Sequence, residues 1–100
     1  MPGTEDDRVV YDYRVEHPSG AIEEVYVRRV PTNELYPEGV HYRMYYGYPS
    51  EDAIIQFDNG HKAGEHHEHV RGELTVLDEF PGIAPLMDRF QEEINSHEHD

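Results

Sequence analysis

Apolar and polar residues alternate along the first half of the chain, with the period of strands that bury one face. The alternation covers residues 9–16, 22–30 and 40–46. One face of the first segment collects four apolar or aromatic residues, namely Val9, Tyr11, Tyr13 and Val15. Because turn-forming residues occupy positions 17–20, the first two segments are predicted to pair as a β-hairpin.

Shorter segments extend this pattern toward the C-terminus. Residues 53–57 are predicted to form a short apolar strand and residues 73–77 a fifth strand, with a loop from Asp58 to about Arg71 between them. Further along, apolar residues recur every three or four positions, which predicts an amphipathic helix. Because proline is tolerated only in the first turn of a helix, this helix is expected to begin near Pro85.

These elements predict an α+β fold in one domain of residues 1–100. We expect a curved antiparallel sheet of four or five strands, arranged as a meander because the connections are short. One C-terminal amphipathic helix is expected to pack on the apolar face of the sheet. Residues 1–7 and 96–100 are expected to be disordered tails, because they lie beyond the patterned segments.

The chain is strongly acidic, with 22 acidic residues against eight basic ones and a formal net charge of −14. Of the basic residues only Lys62 is a lysine. This composition is typical of a halophile, expected to be archaeal, because molar salt shortens the Debye length to about 3 Å and screens self-repulsion. The alternatives are an ordinary acidic protein and one that docks a basic partner.

Several classes of site and location are excluded or disfavoured by composition. Cysteine is absent, so disulfides and thiolate metal sites are excluded. No run approaches the roughly 20 apolar residues of a membrane span, and the acidic start lacks the order of a signal peptide. A cytoplasmic protein without membrane attachment is therefore expected.

The candidate chemistry lies in a histidine-rich segment that holds four of the eight histidines, at positions 61, 66, 67 and 69. Histidine changes charge near neutrality and is the commonest metal ligand. If the segment is extended, His67 and His69 point the same way. With His61 and Asp58 they would suit a divalent ion such as zinc, although the segment has no dedicated metal-binding spacing. A solvated polar loop is the alternative.

A second interpretation needs no metal. Cleavage of RNA through its ribose 2′-hydroxyl requires a general base, a general acid and a cation for the phosphate. Two histidines could supply the proton transfers, and Arg43 or Arg71 could bind the phosphate through two hydrogen bonds. The net charge opposes binding of a polyanion, but high salt or a local arginine patch would weaken that repulsion. Ordinary pairing of these arginines with carboxylates across strands is the alternative.

A resemblance to a known family is carried by residues 56–61 (QFDNGH) and 66–70 (HHEHV). These segments resemble the motif of the TumE-like toxins of prokaryotic toxin–antitoxin modules. Residues 42–46 and the C-terminal helix are also similar to that family's layout, so the likeness covers about residues 40–95. The chain departs from the pattern at Gly60, where alanine is expected, and at residues 62–65, where prolines are usual.

The resemblance implies a toxin that is encoded beside an antitoxin and acts on RNA. Carried over position by position, it implies five functional residues: Asp58, Asn59, His61, His67 and His69. Asp58 would orient a histidine or bind metal, and His67 and His69 would transfer protons or act as ligands. The expected partner is a small, DNA-binding antitoxin.

Three hypotheses therefore stay open from the sequence. The first is a ribonuclease toxin that uses the histidine segment. The second is a non-catalytic acidic module that binds a basic or DNA-binding partner, and the third is a metal-binding protein. Exposed strand edges also allow a homodimer.

Overall fold

The computed structural model describes residues 8–60, 62 and 64–99. Within these residues the chain forms a six-stranded antiparallel sheet and one helix. Their bounds are β1 (Arg8–Glu16), β2 (Ile22–Arg29), β3 (Val40–Gly47), β4 (Ile55–Asp58), β5 (His66–Val70), β6 (Glu73–Leu77) and α1 (Ile83–Glu98). The strands lie in chain order from β1 to β6. The predicted α+β meander with a C-terminal helix is confirmed.

The predicted count of four or five strands is too low, because part of the histidine-rich segment is a strand and not a loop. Residues 66–70 form β5, which pairs with β4 on one side and with β6 on the other. Its buried positions are His66 and Glu68. Because strands are recognised by buried apolar and β-branched residues, a strand that buries polar ones gives no alternating hydrophobic pattern.

The helix α1 begins at Ile83 and carries Pro85 in its first turn, close to the predicted start. It buries Leu86, Phe90 and Ile94 against the sheet. It also continues through residues 96–98, which were expected to lie in a disordered tail. Its last turn is stabilised because the Glu98 carboxylate accepts hydrogen bonds from the Tyr46 and Ser19 hydroxyls. Within the described residues no helix is both long and apolar enough to cross a membrane.

The sheet has two different faces. The face under α1 is the hydrophobic core, and seven of its strand residues are at most 1% exposed: Val25, Val27, Tyr42, Met44, Tyr46, Ile55 and Phe57. We call the opposite side of the sheet the open face. Since side chains alternate between the two faces along a strand, the residues between these core positions belong to the open face.

A buried polar cluster joins the first two strands to the helix. Glu23 is only 5% exposed, and its carboxylate accepts hydrogen bonds from Tyr13 Oη at 2.7 Å and Gln91 Nε2 at 2.6 Å. His17 Nε2 lies 3.0 Å from the second carboxylate oxygen. Burial alone would raise the pKa of Glu23, but hydrogen bonds from Tyr13, Gln91 and His17 outweigh it and hold this pKa below its usual value. The ionised carboxylate therefore stabilises the fold.

We expect Glu23→Gln to lower the free energy of unfolding at pH 7 by about 1–3 kcal/mol. A carboxyl whose pKa is lower in the folded state stabilises above its unfolded value, and that contribution is lost as pH falls through the folded pKa. The difference between variant and parent should therefore shrink in urea unfolding below the ordinary pKa of 4.5. Glu24→Gln is the control, because Glu24 forms an exposed pair with Arg14. A difference for Glu23→Gln that does not vary with pH would contradict the interpretation.

Candidate functional site

Strand register aligns the open-face residues into rows that cross the whole sheet. The Arg43 row consists, in strand order, of Asp12, Tyr26, Arg43, Asp58, His67 and Val76. The Tyr45 row beside it consists of Arg14, Glu24, Tyr45, Gln56, His69 and Leu74. The Cβ atoms of directly paired residues lie about 4.5–5.5 Å apart. The register thus brings Arg43, Asp58 and His67 side by side on three strands.

Asp58 is the last residue of β4 and is only 4% exposed. Its Oδ2 atom accepts a hydrogen bond from Gln56 Nε2 at 2.8 Å. Asp58 lines a hollow of about 360 Å³ together with Arg43, Gln56 and Gly60. A carboxylate thus lies next to an arginine in a recess of the open face.

His67 lies across β4 from Arg43, and its Nε2 atom lies 2.9 Å from Glu65 Oε1. This hydrogen bond lowers the pKa of Glu65, so Glu65 is ionised at neutral pH. An ionised carboxylate can only accept hydrogen bonds, so His67 Nε2 carries the proton of this bond. The imidazolium form of a histidine at this open-face position can act as a general acid.

His69 lies on the same side of β5 as His67, as an extended segment requires. It lines a separate hollow of about 290 Å³ with Gln56, Asp52 and Gly72. His61, the remaining histidine of the predicted set, lies outside the described residues.

Asn59 is 2% exposed and is bound to the backbone of β3. Its Oδ1 atom accepts a hydrogen bond from the Tyr42 amide at 3.0 Å, and its Nδ2 atom donates to the Val40 carbonyl at 2.8 Å. The carboxamide therefore continues the β3–β4 pairing past the end of β4. These contacts give Asn59 a structural role.

The two predicted phosphate-binding arginines lie on different sides of the molecule. The guanidinium of Arg43 lies 5.2 Å from the ring centroid of Tyr45 on the open face. Arg71 instead pairs with Glu93 of α1, with 3.4 Å between Nη1 and Oε1. The structure therefore brings Arg43, and not Arg71, together with Asp58 and His67.

His41 is an open-face histidine that the sequence analysis did not single out. It pairs in register with Arg28, and its Nε2 atom is the nearest atom to the side-chain position of Gly60. Its Nδ1 atom is buried and has no hydrogen-bond partner among the described residues. Burial lowers the pKa of His41 and the charge of Arg28 lowers it further, against an opposing contribution from Asp58. A neutral imidazole at pH 7 suits a general base. The sequence could have identified this position, because His41 is adjacent to Tyr42, and the alternation assigns Tyr42 to the apolar face of its strand.

His66 belongs to the helix side and not to the candidate site. Its Nδ1 atom lies 3.0 Å from the hydroxyl of Tyr42, and its Nε2 atom lies 3.1 Å from a carboxylate oxygen of Glu38. The ring stacks against Phe80 with 4.7 Å between centroids. Of the histidine-rich motif, His66 therefore packs on the helix side of the sheet, whereas His67 and His69 lie on the open face.

The metal hypothesis has weak support in this geometry. Across residues 8–60, 62 and 64–99, no group of three or more histidine and acidic side chains is arranged to hold a metal ion. The predicted ligand set of His61, His67 and His69 includes one residue outside those ranges, so this hypothesis stays a prediction.

The fold and the site define a small α+β protein whose polar candidate site lies on the open face of a meander sheet. The family model described as "Toxin TumE" matches residues 2–98. The chain therefore belongs to the TumE toxin family, as the resemblance implied, which makes it the toxin component of a toxin–antitoxin module with an antitoxin as partner. No curated protein and no solved structure matches it significantly.

We expect Asn59→Ala to lower the free energy of unfolding by about 2–4 kcal/mol, because two buried backbone groups lose their partners. Chemical unfolding followed by circular dichroism measures the change. Asn33→Ala is the matched control: Asn33 also bonds to backbone groups, but in an exposed turn, where water can replace it. Wild-type stability combined with loss of toxicity in Asn59→Ala would instead assign Asn59 to the chemistry.

Proposed function

We propose that this toxin arrests growth by cleaving RNA on the open face of its sheet. The observation that carries the proposal is the register that makes Arg43, Asp58 and His67 direct neighbours across β3, β4 and β5. Arg43 and His67 supply the cation and the general acid that such a reaction requires, and His41, two residues before Arg43 on β3, supplies the general base.

In the proposed reaction the ribose 2′-oxygen attacks the adjacent phosphorus. His41 removes the proton of the 2′-hydroxyl as the new O–P bond forms. His67 protonates the leaving 5′-oxygen as the old P–O bond breaks, which leaves a 2′,3′-cyclic phosphate and a 5′-hydroxyl. Arg43 binds the phosphate. Asp58, which lies between Arg43 and His67 in the Arg43 row, orients these two side chains.

Strand dimensions allow this arrangement. His41 and Arg43 are two residues apart on β3, about 7 Å along the strand, and His67 lies two strands from Arg43, about 10 Å across the sheet. A phosphate bound at Arg43 would thus lie between the proposed base and the proposed acid. His69 in the neighbouring row and His61 complete the proposed set of histidines.

The local charge favours RNA more than the total charge does. The Arg43 row and the Tyr45 row together hold two arginines against three carboxylates, while the chain carries −14. Most of the acidic excess therefore lies elsewhere on the molecule. Protonation of either His67 or His69 would make these rows neutral, and protonation of both would make them positive.

Growth arrest provides the first test. Expression without the antitoxin should stop growth, and His67→Ala and Arg43→Gln should restore viable counts by about a hundredfold or more, as expected for loss of acid–base or phosphate-binding groups. Arg71→Gln is the matched control and should stay toxic, because Arg71 faces α1. Immunoblots check that the variants accumulate equally. Full toxicity of both His67→Ala and Arg43→Gln would favour a non-catalytic toxin that acts by binding.

Purified protein provides the second test. It should convert RNA into fragments that end in a 2′,3′-cyclic phosphate, and it should leave 2′-O-methyl RNA intact. His41→Ala should slow cleavage by about 10²–10⁴-fold, the usual contribution of a general base. Cleavage that stops in the presence of a chelator and returns with zinc would replace this mechanism by the metal hypothesis.

A further inference from the structure

We infer that the open face is a stacking surface for single-stranded RNA, in which Tyr26 and Tyr45 receive bases on either side of a phosphate held by Arg43. This inference rests on the proposed function, because it names the substrate class of the same site.

Planar side chains dominate the middle of the open face. The open-face side chains of β3 are His41, Arg43 and Tyr45, and β2 places Tyr26 in register with Arg43. Both tyrosines are half-buried, whereas the core tyrosines Tyr42 and Tyr46 are fully buried on the helix side. Aromatic rings and guanidinium planes on a sheet surface are a common way for proteins to stack unpaired bases.

Arg43 lies between two recesses of the open face. On one side a hollow of about 320 Å³ is lined by Tyr26, Arg14 and Asp12 among others. On the other side the hollow of about 360 Å³ contains Asp58 and Gly60. Arg43 lines both hollows. A strand whose phosphate binds Arg43 can therefore place one base in the recess beside Tyr26 and the next beside Tyr45, whose ring centroid lies 5.2 Å from the Arg43 guanidinium.

Stacking also resolves the conflict between an acidic protein and an anionic ligand. The two rows offer only two arginines, so phosphate contacts alone provide little affinity. Base stacking does not depend on net charge and contributes at each base. Only unpaired bases expose their faces, because a duplex buries them in its own stack. The surface therefore favours single-stranded RNA over a duplex.

The test measures binding without cleavage. A fluorescein-labelled single-stranded 2′-O-methyl RNA of about twelve nucleotides is titrated with the full chain, and its anisotropy is followed. Tyr26→Leu and Tyr45→Leu should each weaken binding by about tenfold or more, because leucine has no π-face. Tyr26→Phe and Tyr45→Phe should bind within about twofold of the parent, because phenylalanine still stacks.

Controls separate stacking from damage to the fold. Tyr11→Leu is the matched variant, because Tyr11 is 43% exposed and lines a groove on the helix side; its binding should be unchanged. Circular dichroism establishes whether each variant is folded. The parent protein should bind the matching duplex at least about tenfold more weakly than the single strand. Because this comparison needs no substitution, it tests the inference even if a leucine variant does not fold.

Salt dependence gives an independent readout. With only one or two phosphate contacts, the slope of log Kd against log salt should be about 1, and Arg43→Gln should reduce it by about 0.7. A slope near 5 would indicate a phosphate-dominated surface and overturn the inference.

Two further results would overturn the inference: equal affinities for Tyr26→Leu, Tyr45→Leu and Tyr11→Leu, or equal binding of duplex and single strand. Loss of neutralisation by the antitoxin with unchanged oligonucleotide affinity would assign the aromatic surface to that partner. The proposed function fails separately: binding of the 2′-O-methyl strand without cleavage of RNA refutes the ribonuclease alone. Cleavage that is unchanged by substitution of both tyrosines refutes the stacking surface alone.

Discussion

Burial of one face of the sheet under α1 is the constraint on which the rest of the molecule depends. Each large apolar side chain removed from water there contributes about 1.5–3 kcal/mol. Tyr42 and Met44 are successive core positions of β3, and Phe57 of β4 pairs with Met44. Since side chains alternate along a strand, a slip of one residue would move these groups into water and bring Arg43 and Asp58 into the core. The hydrophobic core therefore determines which residues form the open face, and in which rows.

The histidine-rich strand β5 shows how closely fold and site are joined. Two of its inward residues are polar, and each has a partner: His66 contacts Tyr42 and Glu38, and Glu68 accepts a hydrogen bond from Arg89 of α1. Its outward residues, His67 and His69, lie beside Asp58 and Gln56. Because the inward contacts hold the strand, the outward imidazoles are positioned by a sheet and not by a mobile loop. A site on a regular element is held more rigidly than one on a loop.

Elements that bury apolar side chains could be predicted from the sequence, whereas features that depend on contacts between remote residues could not. Alternation revealed the strands with apolar faces, and the helical stripe revealed α1, since both patterns record burial directly. Alternation missed β5, because its buried face depends on Tyr42, Glu38 and Arg89, which are remote in sequence. The two backbone partners of Asn59 on β3 are likewise known only once β3 and β4 pair. The position of Arg71 likewise depends on Glu93 of α1. His41 was accessible from sequence, because residues flanking Tyr42 must face away from the core.

Gly60, where the resemblance implied alanine, borders the candidate site. Gly60 and the residues after it lie in the connection between β4 and β5, whereas Asp58, His67 and His69 lie on the strands themselves. Gly60 of this connection borders the recess beside Arg43, whereas the order of the Arg43 row is set by strand register. Gly60 also leaves the space beside His41 open, since a Cβ atom there would lie 3.4 Å from His41 Nε2. The strand register that the hydrophobic core fixes therefore maintains the order of cation, carboxylate and imidazole on the sheet.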